Sequence, residues 1–122
     1  MKSKIFNKTS SEQENVLAIT GEITAGGWWT SADDDDLRDL LRDMKGPLTL
    51  RINSPGGDVV VAADMYSALR EYAQTRGPIT AYVSGQAASA ASLIAMAADR
   101  VVIGDLATIM IHNPWTIAVL FV

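Results

Sequence analysis

The chain has 122 residues, with ten basic against fourteen acidic side chains for a net charge of −4, a single histidine and no cysteine. That length is one domain, able to bury most of the surface that its unfolded chain exposes. An acidic balance leaves no basic face to track phosphates or anionic lipid, and the missing thiols exclude disulfides, thiolate metal sites and cysteine nucleophiles, so neither nucleic acid nor membrane is an expected partner and a cytoplasmic location is expected.

Residues 1–15, "MKSKIFNKTSSEQEN", are polar and read as a loose N-terminal arm before a domain over 16–122. Val16 to Ile23 reads as a first strand, with Gly26-Gly27 breaking the pattern ahead of Trp28 and Trp29. In "SADDDDLRDLLRDM" Ser31 is placed to cap a helix whose first turn carries aspartates that the helix dipole favours. Leu37, Leu40, Leu41 and Met44 give that helix an apolar stripe, and Gly46-Pro47 stops it. The aspartate run lacks the alternating ligand spacing and the glycine of a calcium loop, so it reads as a solvated helix start and no metal is expected.

Leu48, Leu50 and Ile52 alternate with polar residues, as in a strand packed on one face. "SPGGD" then turns the chain into a helix from about Val59 to Ala73, ending near Gly77-Pro78. The cycle repeats as strand "ITAYV", turn "SGQAAS", helix "AASLIAMAA", strand "RVVIG" and a strand-like "ATIMIH". Gly77 to Ala98 carries no Asp, Glu, Lys or Arg and is long enough to cross a bilayer. Its opening Gly-Pro, the break at Ser84-Gly85-Gln86 and its alanine content make it a buried strand followed by a buried helix instead. Strands alternating with helices define an α/β layered domain.

Two turns, at Gly56-Gly57 and around Ser89, each follow a strand and precede a helix, where open α/β sheets bind their ligands. Glycine allows positive φ and close backbone approach, while Ala87, Ala88, Ala90 and Ala91 clear space around Ser89. The N–H groups of Ala90 and Gly57 would then stand beside the Ser89 hydroxyl as two fixed donors for a carbonyl oxygen gaining charge during acyl transfer. His112 follows Ser89 by 23 residues, enough for a helix and two short strands to return the ring to the same sheet edge. Singly, each feature has a plainer reading: a packing serine, a turn histidine before Asn-Pro, an ordinary Gly-Gly turn. Their conjunction points to nucleophilic catalysis.

"INSPGGD" (52–58), "GQAASAAS" (85–92) and "MIHNPW" (110–115) follow the order and approximate spacing of the Clp proteolytic subunit family of serine peptidases, which the chain resembles from about Val16 to Thr116. "AASAAS" and "IHNPWT" look most like its phage and prophage branch, the head maturation proteases. The resemblance implies Ser89 as nucleophile, His112 as general base, and Gly57 and Ala90 as backbone oxyanion donors. Ser84 and Ser92 match no nucleophile position. It also implies a crotonase-like spiral of β-β-α units, homo-oligomeric rings, no cofactor, and a peptide bound as an added strand next to Gly56-Gly57. The activity so implied is ATP-independent endopeptidase cleavage of scaffold or capsid protein.

Family members run on beyond the histidine and supply the acidic triad residue there, whereas this sequence ends at "NPWTIAVLFV". The expectation is therefore a fold incomplete at its C-terminus, with no triad acid within the chain; Asp99 and Asp105 precede His112 and do not match it. Two alternatives accompany the peptidase: a catalytically impaired remnant acting as an assembly subunit, and a crotonase-like acyl-CoA enzyme, which uses similar oxyanion amides without a Ser-His pair.

Overall fold

The computed structural model describes residues 5–9, 15–24, 31–32, 34–113 and 118–119. The break at Gly26-Gly27, the two tryptophans after it, and Pro114 to Ile117 lie outside the described residues, as do the last three positions. In chain order the elements are β1 (Ile5–Thr9), β2 (Asn15–Thr20), β3 (Glu22–Ile23), β4 (Ser31–Ala32), α1 (Asp34–Leu41), β5 (Leu48–Ser54), α2 (Val59–Thr75), β6 (Ile79–Ala88), α3 (Ala90–Met96), β7 (Arg100–Ile103) and β8 (Thr108–Met110).

The main sheet runs β1-β2-β5-β6-β7, and β8 also pairs with β6. Only β1 and β2 are antiparallel; the pairings of β2 with β5, β5 with β6, and β6 with β7 and β8 are parallel. Parallel neighbours cannot be joined by a tight turn, and α1, α2 and α3 supply the crossovers. Leu48, Leu50, Ile52 and Ser54 are buried on alternate positions of β5, as its sequence pattern requires. The core continues through Leu17 and Ile19 of β2, Ile79, Ala81 and Val83 of β6, and the inward faces of the helices: Leu37 and Leu41, Met65 and Leu69, Ile94 and Ala95. Each such large aliphatic side chain contributes about 1.5–3 kcal/mol when fully buried.

Four local expectations change. Residues 5–9 are not part of a loose arm, because they pair antiparallel with β2 from Ile5 opposite Ile19 to Thr9 opposite Asn15. Val16 to Ile23 is two strands, not one, divided at Gly21, whose φ of +81° turns the chain. Ser31 does not cap α1: its backbone is drawn into β4, parallel to Glu22, and the helix opens at Asp34. The expected turn "SGQAAS" is mostly strand, since β6 runs unbroken to Ala88.

The last change positions the site. Ile52 pairs with Val83, yet Ser54 pairs with Ala87, so β6 carries extra residues at a bulge over Ser84 to Gln86. Gly85 is needed there, because a Cβ would lie 2.3 Å from Asn53 Oδ1, which accepts the Gln86 N–H over 3.3 Å. A bulge bends its strand and re-aims the residues beyond it. Before it, Thr80 to Val83 pair with β7; past it, Gln86 to Ala88 pair with β8. Among the described residues no helix is long and apolar enough to cross a membrane.

Candidate active site

The first turn is built from Ser54, fully buried at the end of β5. Its hydroxyl donates to the Gly21 carbonyl over 2.7 Å and accepts the Gly56 N–H over 3.1 Å, tying the break after β2 to the start of the glycine turn. Gly56 and Gly57 have φ of +97° and +146°, values that L side chains rarely adopt. Ile23 N–H donates to Gly56 O over 2.9 Å and Asp58 N–H donates to Ile23 O over 2.8 Å, making Ile23 and Gly57 a parallel bridge. A Cβ on Gly57 would lie 2.2 Å from the Ile23 carbonyl oxygen. The glycine was expected to admit substrate; on this side it admits β3. In such a bridge the N–H and C=O of Gly57 itself point to the opposite edge, where among the described residues no strand pairs with them. Asp58 then caps α2, accepting the N–H groups of Val60 and Val61 at 2.8 and 3.1 Å.

The second turn lies where β6 becomes α3. Ser89 has φ 55° and ψ −124° and is the one non-glycine residue with positive φ among the described residues. Such a conformation costs on the order of 1–3 kcal/mol and persists only when its surroundings hold it. Three contacts do so: Ser89 N–H donates to Met110 O over 2.7 Å, Ser92 N–H donates to Ser89 O over 3.0 Å, and the buried Ser92 hydroxyl donates to the same carbonyl over 2.6 Å. The two turns touch. A Cβ on Gly56 would lie 2.6 Å from Ala88 O, 2.8 Å from Ser89 Cβ and 3.0 Å from Ala90 N.

The bond from Ser89 to Met110 also returns the histidine, two residues further on. Ser89 and His112 line one cleft of about 520 Å³ together with Glu22, Pro55, Gly56, Gly57, Val59 and Met110. A smaller pocket of about 220 Å³ opens beside them between Val59, Leu93 and Ile111. His112 Nδ1 lies 2.7 Å from the Asn113 carbonyl oxygen, and a carbonyl only accepts, so the contact favours the tautomer with the hydrogen on Nδ1 and the lone pair on Nε2. Among the described residues the Ser89 hydroxyl, the Gly57 N–H and the Ala90 N–H have no hydrogen-bond partner. A hydroxyl and an imidazole on one cleft, with an open amide at Gly57 on its lining and another at Ala90 on that of the adjoining pocket, are the groups that addition to a carbonyl followed by proton transfer calls for.

The remaining candidates fall elsewhere. Asp99 belongs to the opposite end of β6: it accepts the Ile79 N–H over 2.8 Å, and Arg70 lies 3.5 Å away. The Ile79 amide, more than the neighbouring guanidinium, holds its carboxyl below the ordinary value of 3.8. Asp105 is exposed in the turn between β7 and β8 and lines neither cavity. Ser84 is spent in the bulge, donating to Ile52 O over 3.3 Å. Among the described residues no group of His, Asp and Glu could hold a metal ion. Sequence reasoning missed Ser54, weighed Ser92 only as a nucleophile, and missed Glu22 and the Asn113 carbonyl. The serine before Pro-Gly-Gly is a turn-forming signal that could have found the first; the second is a serine three residues into an alanine-rich helix start, and the last is main chain and carries no signal.

A family model described as Clp protease matches residues 37–120 of the chain. A search of curated proteins returns no match. Among solved structures the chain is similar to a ClpP1 N165D mutant from Listeria monocytogenes, at 23% identity and a TM-score of 0.68 over 81% of this chain and 56% of that one. A 1510-N membrane-bound stomatin-specific protease, as its S97A mutant, matches at 17% identity and TM-score 0.60 over 75% of this chain and 44% of that one. A protein described as an enoyl-CoA hydratase from Streptomyces coelicolor A3(2) matches at 21% identity and TM-score 0.54 over 86% of this chain and 46% of that one. The shared fold is crotonase-like, and the chain spans about half the length of these structures.

Proposed function

Because the chain belongs to the Clp protease family, we propose that it is a serine endopeptidase in which Ser89 attacks a peptide carbonyl, His112 Nε2 takes its proton, and the Gly57 and Ala90 N–H groups hold the oxyanion. The observation that carries this reading is the backbone of Ser89: a serine kept at φ 55° at a strand-to-helix junction, pressed against a glycine turn that leaves an amide free. A packing serine has no use for that strain. Ser89 lies on the lining of a cleft that His112 also lines.

Substrate binds as an extended segment along the open edge of Gly57, and the pocket between Val59, Leu93 and Ile111 receives an apolar side chain next to the scissile bond. The Asn113 carbonyl holds the imidazole tautomer that an acidic residue holds in other serine peptidases. A carbonyl dipole stabilises imidazolium less than a carboxylate does, so the pair works more slowly than a full triad unless an acid arrives from outside the described residues. Assembly into a homo-oligomer and cleavage of phage scaffold or capsid protein belong to the same proposal; they are supported by the "AASAAS" and "IHNPWT" forms. The enoyl-CoA hydratase likeness fits two oxyanion amides equally well but leaves the strained serine and the adjacent histidine without a task. Covalent trapping of Ser89 by a fluorophosphonate, with Ser89→Ala as the blank, tests the reading.

A further inference from the structure

We propose that Glu22 forms a subsite for a cationic side chain, lysine or arginine, of the peptide bound in this cleft. The inference rests on the peptidase reading for the identity of the ligand, and on the structure of β3 for the charge. Strand alternation and the pairing of Ile23 with Gly57 fix the two residues of β3 in opposite senses: Ile23 is fully buried in the core, and Glu22 is exposed and turned to the cleft. The pairing of Glu22 with Ser31 and of Ile23 with Ala32 in β4 holds that register.

Among the described residues, Glu22 and His112 are the ionisable side chains of the cleft lining. The nearby Asp58 carboxylate is committed to the Val60 and Val61 amides as the cap of α2, whereas Glu22 has no hydrogen bond or ion pair among the described residues. It is not the orienting acid of the histidine, because His112 Nδ1 is already taken by the Asn113 carbonyl. A carboxylate beside the glycine turn along which the peptide runs, with no lysine or arginine among the described lining residues to neutralise it, attracts a positive side chain and repels a negative one. The smaller pocket shares Val59, Ser89 and His112 with the cleft but not Glu22, so the apolar and cationic positions of the peptide are different ones.

Binding is measured apart from chemistry. Fluorescently labelled, otherwise neutral ten-residue peptides with one lysine walked through successive positions, and matched glutamine and glutamate sets, are titrated against the Ser89→Ala chain by anisotropy at low and high salt. At one register lysine binds about fivefold tighter than glutamine, the effect of a partly exposed ion pair, and the difference shrinks at high salt. A second substitution, Glu22→Gln, abolishes the preference and Glu22→Lys reverses it toward glutamate. Lysine selectivity that persists in Glu22→Gln, or that differs by less than twofold from glutamine at every register, overturns the subsite. Fluorophosphonate labelling of the parent chain and of Glu22→Gln is run in parallel: a loss of labelling in Glu22→Gln with no charge preference in binding overturns the subsite and shows instead that Glu22 serves the histidine. Absence of labelling in the parent chain counts against the peptidase reading alone, since the binding preference does not depend on turnover.

Discussion

Ser92 acts through a neighbour. Its hydroxyl and its amide both donate to the Ser89 carbonyl, and the hydroxyl is the shorter bond at 2.6 Å. Ser92→Ala leaves the amide bond in place, so the fold survives, but the strained φ of Ser89 loses one of its three ties. A bond of this kind contributes about 1 kcal/mol, which predicts kcat for peptide hydrolysis lowered about fivefold with KM unchanged; a change confined to melting temperature would make Ser92 merely structural. The glycines provide a sharper contrast. Gly46 (φ +91°) has nothing within 4 Å of the position that a methyl would take, whereas the same methyl on Gly57 would strike the Ile23 backbone. Gly46→Ala is expected to lose only the left-handed penalty of about 1–2 kcal/mol and to keep full labelling by a fluorophosphonate. Gly57→Val must also displace β3 or the turn and with it the proposed oxyanion donor, so its labelling should fall by about a hundredfold. Equal labelling of the two folded variants would show that the turn has no part in the chemistry. At this scale the gathering of Ser89, His112 and the two glycines around one cleft was legible, because residue type and turn position are local properties. The pairing of Gly57 with Ile23 was not, since it joins segments that only the tertiary fold brings together.

Elements with strong periodicity read correctly, and those defined by their neighbours did not. β5 shows its buried face in alternate positions, and α2 starts at Val59 behind the Asp58 cap. β1 carries no such pattern, and its strand is defined by its pairing with β2. The end of β6 looked like a turn because serine and glycine punctuate it, yet Gly85 serves there to let Asn53 approach. Asp99 shows how the far end of the same strand is held. It receives the Ile79 amide and the Arg70 guanidinium, while Arg70 also donates to Ala97 O over 3.0 Å, so α2, α3 and β6 are joined at one point. Since the folded carboxyl lies below its ordinary value of 3.8, its contribution to stability is complete above that pH and is lost as pH falls through the lower folded value. The melting temperature of Asp99→Asn should therefore lie below that of the parent chain at pH 7, with the gap closing as the pH drops below about 4. A gap independent of pH would assign the loss to packing.

In the molecule as a whole, the parallel part of one sheet delivers two strand-to-helix junctions to the same place. β5 ends in the glycine turn, the bulged β6 ends in Ser89, and β8, paired with β6 beyond the bulge, brings His112 to the cleft. That convergence is what the α/β alternation in the sequence foreshadowed and what the spacing of Ser89 and His112 required. Its geometry depended on the bulge, which no local pattern announced. The central claim is that this convergence makes Ser89 a nucleophile, and the most direct measurement is peptide mapping by mass spectrometry after treatment of the chain with a fluorophosphonate. One phosphonyl adduct is predicted, on Ser89, absent after Ser89→Ala or after prior heat denaturation and still formed in Ser84→Ala. An adduct on Ser84 or Ser92, or a folded chain that takes up none, would contradict the account.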